Sequence, residues 1–333
     1  MALKKKEITL ADIKNKFSTK TKYKETQFYN CGEAFLDACG LPGPVMGSIN
    51  LFMGHSDTSK STAMILSAVD AQSKGHLPVF IITEKKFSWE HAIELGLDAQ
   101  LDSDGSYVGQ FIYNDSFDYV EQSTDYINSL LDAQEKGELP YDLLFCFDSV
   151  GSIPCKMTFD GKGGGLHTAK VLADKVGMGL HSRITKSRKE EYPYINTMVV
   201  INQVWIEIPD NPYSQPVAKP KGGEALFFSA ALVFLFGNHK NSGVSHITAT
   251  KNGRTVSFAT RTKISILKNH INGISFKDGK IIAVPQGYIK DDKADIDKYK
   301  KQYSQYWNKI LGGNTGDDLE LNESAGEEND IEI

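Results

Sequence analysis

The stretch that most restricts the fold of this chain is SINLFMGHSDTSKSTAMILSAVD, Ser48 to Asp70. A short apolar strand, SINLFM, runs into a polar loop, and the residues from Ser61 to Ser73 have helical composition. The loop reads Gly54-His55-Ser56-Asp57-Thr58-Ser59-Lys60-Ser61, followed by Thr62. It differs from the phosphate-binding pattern G-x-x-x-x-G-K-[ST] at one position, where Ser59 replaces a glycine. Strand before and helix after are what that mechanism needs, because backbone N–H groups at the helix start wrap phosphate oxygens. Lys60 would then reach the outer phosphates and Ser61 would hold Mg2+. A Cβ at position 59 is penalised by roughly 1 kcal/mol or more if glycine's backbone conformation is kept, so a loop of slightly different local geometry is expected. Taken alone, the stretch also fits a lysine-bearing loop between a strand and a helix.

The rest of the chain repeats the alternation. LPVFIITE, GQFIYND, YDLLFCFDSVGSIP, INTMVVINQV and AALVFLF read as strands. SWEHAIELGLD and SFDYVEQSTDYINSLLDAQEKGE read as helices between them. Buried strands alternating with helices predict an α/β fold with a mainly parallel central sheet flanked by helices. Past Ser242 the pattern changes to strands with turns at Asn252-Gly253 and Asp278-Gly279, a β-hairpin region. A last amphipathic helix places Ile296, Tyr299, Tyr303, Trp307 and Ile310 on one face. We find no internal repeat. The expected organisation is an N-terminal arm over 1–27, docking on a neighbouring subunit, a core over 28–290, a helix over 291–312 and a disordered acidic tail over 313–333. Within the arm, LADIKNKF (Leu10 to Phe17) has the composition of a short helix.

Charge and cysteines narrow the function. Net charge is −5, yet Asp317 to Ile333 holds eight acids and no base, and without them 34 acids face 37 bases. The body is therefore slightly basic. The tail reads either as a solubilising extension or as a polyanion mimic that masks a basic groove. Cys31, Cys39, Cys146 and Cys155 form no C-x-x-C pair, which suits buried free thiols and a cytoplasmic protein. The N-terminus has no apolar core of a secretory signal, and no apolar run reaches the length of a membrane helix.

LLFCFDSV ends an apolar run in Asp148, as does a strand whose carboxylate binds Mg2+ beside a phosphate loop; a helix N-cap explains the same aspartate equally well. Here a resemblance becomes specific. GLPGPVMGSINLFMGHSDTSKST resembles the entry to the ATP site of RecA-type recombinases, and PVFIITEKKFSWEHAIELGLD resembles the segment that follows it in that family. FDSVGSI, VVINQV, KGGEAL and ISILKNHI resemble four further family segments, in order, between about Gly40 and Ile289. The missing loop glycine and short C-terminus are similar to UvsX-like recombinases of bacteriophages. The resemblance implies a RecA-like P-loop ATPase core with ATP and Mg2+ as cofactors. It implies Glu84 as the residue that activates the attacking water and Gln203 as the γ-phosphate sensor. Lys268 would be a contact to the ATP of the neighbouring subunit, and His270 stands where a second lysine is expected. His91 would lie near the adenine, although a surface histidine on a helix fits the residues equally.

Two segments fall where that family has its DNA loops. The first, PCKMTFDGKGGGLHTAKVLADKVGMGL, offers a flexible glycine backbone at Gly163 and Gly164 with Lys156 and Lys162 alongside. The second, VWIEIPDNPYSQPVAKPKGG, offers Lys219, Lys221, Gly222 and Gly223, with Trp205 and Tyr213 as stacking or wedge groups. Cations beside aromatic rings suit single strands, where charge tracks the backbone and rings stack on bases. On composition alone each is an ordinary exposed loop. HSRITKSRKEE (His181 to Glu191) reads as the solvated face of a helix. The expected function is an ATP-dependent DNA recombinase, a DNA-dependent ATPase that forms head-to-tail helical filaments on single-stranded DNA and pairs them with duplex DNA. A single-strand-binding protein or loader would be a further partner. The alternatives are a catalytically weakened ATP-binding protein that coats DNA, and a ring helicase, whose separate N-terminal module the short N-terminal segment does not accommodate.

Overall fold

The computed structural model describes residues 9–18, 21–207, 217–221, 224–238, 243–251, 254–274, 276, 279–310 and 321–322. Two helices, α1 (Leu10–Phe17) and α2 (Glu33–Cys39), precede β1 (Ile49–Gly54). The chain continues through α3 (Lys60–Ser73), β2 (Leu77–Ile82), α4 (Trp89–Glu94), β3 (Ala99–Leu101), β4 (Tyr107–Gly109), β5 (Ile112–Asn114), α5 (Val120–Glu135) and β6 (Leu143–Asp148). A helical stretch follows: α6 (Lys156–Phe159), α7 (Gly165–Val171), a π-helix (Leu172–Leu180) and α8 (His181–Lys186). Then come β7 (Thr197–Glu207), β8 (Val217–Pro220), α9 (Ala225–Ser229), β9 (Leu232–Phe236), β10 (Val244–Lys251) and β11 (Arg254–Asn269). The last elements are β12 (Gly279–Val284), β13 (Gly287–Lys290), α10 (Lys293–Ile310) and β14 (Leu321–Asn322).

The large sheet has the order β13-β12-β11-β9-β1-β7-β6-β2-β5. Strands β9, β1, β7, β6, β2 and β5 are parallel. Their runs are apolar on both faces because helices cover both sides of a parallel sheet. Along β1 the faces alternate: Phe52 packs into one core cluster, and Ile49, Leu51 and Met53 into the other. Each such fully buried side chain contributes roughly 1.5–3 kcal/mol by leaving water. The strands after Ser242 form the expected antiparallel pairs, β10 with β11 and β11 with β12. They also join the large sheet, because β11 pairs antiparallel with β9 and β13 with β12, so the sheet is mixed.

The first glycine-rich segment keeps a short non-helical bend at 161–164, and the residues around it fold into α6, α7 and the π-helix. The last helix buries Ile296, Tyr299 and Trp307, but Ile310 is exposed at its end. Tyr303 interrupts that helix with φ −110° and ψ 15° but stays packed against the same cluster as Trp307. Within the acidic tail, Leu321 and Asn322 pair with β10. The rest of that tail lies outside the described residues. The segment after α1 is held by its own chain: Tyr23 bridges to Lys189 and Phe28 to Val45. All four cysteines are free and buried. Among the described residues no helix is long and apolar enough to cross a membrane.

Candidate active site

Strand register gathers the chemistry at one end of the sheet. Gly54, the last residue of β1, lies opposite Gln203 of β7. Asp148, the last residue of β6, lies opposite Ile201 of β7 and Ile82 of β2. Glu84 stands two residues past Ile82, as Gln203 stands two past Ile201. The carboxyl ends of neighbouring strands therefore bring these side chains together, the usual place for a ligand in an open α/β sheet.

The loop between β1 and α3 is tightly built. A Cβ at Gly54 would fall 2.2 Å from the carbonyl oxygen of Phe236, so no larger residue fits there without movement. Asp57 and Ser59 both adopt left-handed backbone, at φ 59° and 62°. Ser59 thus takes up the backbone conformation that glycine enters most easily. The Thr58 hydroxyl donates to the His55 carbonyl (2.8 Å) and caps the loop from within. Lys60 is buried and turns its ammonium into the loop, donating to His55 O (2.5 Å) and Thr58 Oγ1 (3.2 Å). Burial pushes its pKa down to about 8, against the opposing pull of Asp148, Glu84 and Asp57.

Beside the loop, the Ser61 hydroxyl donates to Asp148 Oδ2 at 2.8 Å. Burial, reinforced by the charge of Glu84, raises the Asp148 pKa to about 6, and the Ser61 hydrogen bond and Lys60 act the other way. The peptide from Asp148 to Ser149 is cis. Ser149 Oγ donates to Glu84 Oε1 (2.8 Å), and Gln203 Nε2 donates to the same oxygen (3.0 Å). Lys60, Ser61, Glu84, Asp148 and Gln203, with Ser56, Asp57, Lys86 and Phe87, line a cavity of about 380 Å³. Two hard oxygens at Ser61 and Asp148 suit a Mg2+ ion that keeps its other positions for water and phosphate. Among the described residues no group of three or more His, Cys, Asp or Glu could hold a metal by itself.

A second cavity, of about 490 Å³, opens across the loop between Asp57, Ser59, Thr62, His91, Glu94 and Tyr306. His91 Nε2 lies 3.3 Å from the Thr62 hydroxyl, and burial lowers its pKa. His91 is thus placed against the first turn of α3.

The remaining expected residues lie elsewhere. Lys268 donates to the carbonyls of Phe227 (2.9 Å) and Phe228 (2.7 Å) near the C-terminus of α9, and does not line the cavity of its own chain. His270 is exposed, and its backbone N–H donates to Ala231 O. Lys156 is exposed and sits 5.0 Å from the Tyr119 ring centroid and 3.5 Å from Asp160. Lys162, Gly163 and Gly164 form the bend between α6 and α7. Lys219 is half-buried in β8, opposite residue 205 and two rungs beyond Gln203. Lys221, expected on DNA, has its ammonium 3.2 Å from Gln203 Oε1. The Trp205 side chain, Tyr213, Gly222 and Gly223 lie outside the described residues. In the basic stretch His181 to Glu191, Arg183 is anchored to Asp132 at 2.7 Å rather than purely solvated.

Ser149, Lys86, Phe87 and Tyr288 were not anticipated as site residues. Ser149 could have been found as a polar neighbour of Asp148. Tyr288, whose hydroxyl meets the loop at Ser59, carries no local signal at all.

No protein-family model matches the chain. It is 24% identical over 239 residues to the Protein RecA of a Nitratiruptor species. That match takes in 70% of this chain and 59% of the relative, so the chain spans well under two thirds of the relative's length. The chain thus has distant sequence similarity to RecA over part of its length, on an α/β architecture with a mixed, helix-flanked sheet.

Proposed function

We propose that this chain is a Mg2+-dependent ATPase whose nucleotide state controls its grip on single-stranded DNA, and that it acts as a recombinase. The observation that carries this reading is the convergence of Ser61–Asp148 and Glu84–Gln203 on one cavity beside a buried, loop-held Lys60. A triphosphate entering the cavity replaces His55 O and Thr58 Oγ1 as the partner of Lys60. Ser61 and Asp148 fit Mg2+, which when bound neutralises phosphate charge. Glu84, held by Ser149 and Gln203 in the nucleotide-free chain, turns to orient water for in-line attack on the γ-phosphate. Gln203 then bonds the γ-phosphate and passes its presence along β7 toward residues 208–216.

The distant similarity to RecA supports DNA as the partner, with homologous pairing and strand exchange as the outcome. Lys268 and His270, both away from the cavity of their own chain, are suited to the nucleotide of a head-to-tail neighbour in an open helical filament. The exposed imidazole of His270 in place of a lysine favours a second reading, in which the chain coats DNA in response to ATP with little turnover.

The test is steady-state ATP hydrolysis in Mg2+ with and without single-stranded DNA, beside electron microscopy of the same mixtures. Hydrolysis stimulated by DNA, with open filaments that require ATP, is expected. ATP-dependent filaments without hydrolysis select the second reading. Neither hydrolysis nor an ATP effect on DNA binding refutes both.

A further inference from the structure

Lys221 and Gln203 are cross-strand partners at the neck of a β-ribbon. Strand β7 leaves the large sheet after Gln203 and continues as a two-stranded ribbon with β8, in which Val204 pairs with Pro220. The next rung toward the cavity is Gln203 with Lys221, closed by Lys221 N–H donating to Gln203 O at 2.9 Å. Directly opposite residues on one face bring their side chains into contact. Here the Lys221 ammonium reaches Gln203 Oε1 at 3.2 Å. The backbone of Lys221 is fixed from a third direction, since Asn202 Nδ2 donates to its carbonyl at 2.8 Å. Gly151 closes the packing: a Cβ there would meet Lys221 Cβ at 2.9 Å.

The chemistry of the two neighbours sets the polarity of the amide between them. A lysine ammonium only donates hydrogen bonds, and an ionised carboxylate only accepts them. Gln203 must therefore turn its oxygen to Lys221 and its NH2 to Glu84. The NH2 face is the one an anion in the cavity requires. When Glu84 turns to hold water, it no longer orients the amide, and Lys221 is left to hold the polarity.

We propose that Lys221 is a positioning residue for terminal-phosphate recognition, acting through the Gln203 amide. This rests on the ATP reading above, and it replaces the expectation that Lys221 is a DNA-backbone contact. Without the ammonium, the amide rotates freely between presenting NH2 and presenting a carbonyl oxygen that repels the γ-phosphate. Lys221 thereby tunes the preference for a nucleoside triphosphate over a diphosphate, with no contact to the β-phosphate or base.

The test measures affinities of the full chain, without DNA, for Mg·ADP and for Mg·ADP–beryllium fluoride, which mimics the terminal phosphoryl group. Lys221→Met is expected to leave ADP affinity within twofold and to cut the beryllium fluoride preference at least tenfold. Lys221→Arg is expected to recover most of it. Adding Gln203→Ala to Lys221→Met is expected to cause less than a twofold further loss, because one acts through the other. In DNA binding without nucleotide, Lys221→Met should keep the wild-type salt dependence. An unchanged beryllium fluoride preference, with weaker DNA binding and a salt slope smaller by about one, overturns the proposal and makes Lys221 a phosphate contact of DNA. A wild-type chain that binds neither ligand overturns the ATP reading and this proposal with it.

Discussion

The hydroxyl of Tyr288 donates a 2.6 Å hydrogen bond to the carbonyl oxygen of Ser59, 229 residues earlier in the chain. Ser59 is the left-handed residue that precedes the buried Lys60, and Tyr288 belongs to β13 at the far edge of the sheet. The antiparallel strands added to the parallel core thus reach back and hold the loop in a conformation that its own sequence disfavours.

Left-handed backbone at a non-glycine residue costs roughly 1–2 kcal/mol, and glycine's greater freedom in the unfolded chain offsets part of any relief. Ser59→Gly is expected to stabilise the chain by up to about 1 kcal/mol in urea unfolding. Ser59→Val, β-branched at the same φ, is expected to destabilise it. Equal stabilities for the three would mean that the loop relaxes out of this conformation.

Removing the clamp has the opposite sign. Tyr288→Phe keeps the ring and leaves the Ser59 carbonyl without its side-chain partner, at a cost of about 1–2 kcal/mol. The same variant should weaken Mg·ATP binding, because the loop carrying Lys60 loses its brace. Unchanged urea midpoint and nucleotide affinity would show that the hydrogen bond is dispensable.

The pH dependence follows from Lys60 and Asp148. Nucleotide binding requires Lys60 protonated and Asp148 ionised, and in the free chain their pKa values are about 8 and about 6. Mg·ATP affinity should be flat between pH 6 and 8 and fall on either side. Binding should take up a proton near pH 8.5, where free Lys60 is largely neutral, and release one near pH 5.5, where Asp148 is largely protonated. Calorimetry in buffers of different ionisation enthalpy reads both. Stability carries the same signature. Lys60 is depressed from 10.5, so between about pH 8 and 10.5 the unfolded chain binds more protons, and stability rises with pH in that window. Lys60→Met should lack that rise.

The C-terminal helix is held by a relay: Trp307 Nε1 donates to Tyr299 Oη (2.9 Å), which donates to Gln286 Oε1 (2.8 Å), whose Nε2 donates to Glu94 in α4. Trp307 also packs edge-to-face on Phe258. Trp307→Ala should cost about 3–5 kcal/mol and Trp307→Phe about 1 kcal/mol. Limited proteolysis should cut first in α10 of the alanine variant, with the parallel core intact.

Much of this was legible in local sequence. The apolar runs gave the parallel strands because each is too short for a helix and rich in Val, Ile and Phe, as strands buried on both faces are. Leu10 to Phe17 is helical as its composition implies. Lys60, Ser61, Glu84 and Asp148 meet because each sits at, or a few residues past, the end of a strand, and strand ends are readable; Gln203 joins them where β7 stops pairing with β1. What escaped depends on pairing between distant segments. Lys221 looked like a loop cation because nothing local reveals the β7–β8 register that sets it opposite Gln203. The glycines near residue 163 lie in a bend as their composition suggests, but nothing local reveals that Cys155 N–H donates to Thr168 Oγ1 and ties α6 to α7. Tyr288 is invisible until the antiparallel edge is known.

The most direct test of the central claim compares wild type with Glu84→Gln in Mg·ATP binding and in single-turnover hydrolysis. The glutamine keeps the shape of Glu84 but cannot polarise water. The account predicts binding within about threefold of wild type and hydrolysis lower by at least about a hundredfold, as expected for losing a general base. Hydrolysis at the wild-type rate in Glu84→Gln would contradict it, because Glu84 would then not be the group that activates water for ATP cleavage.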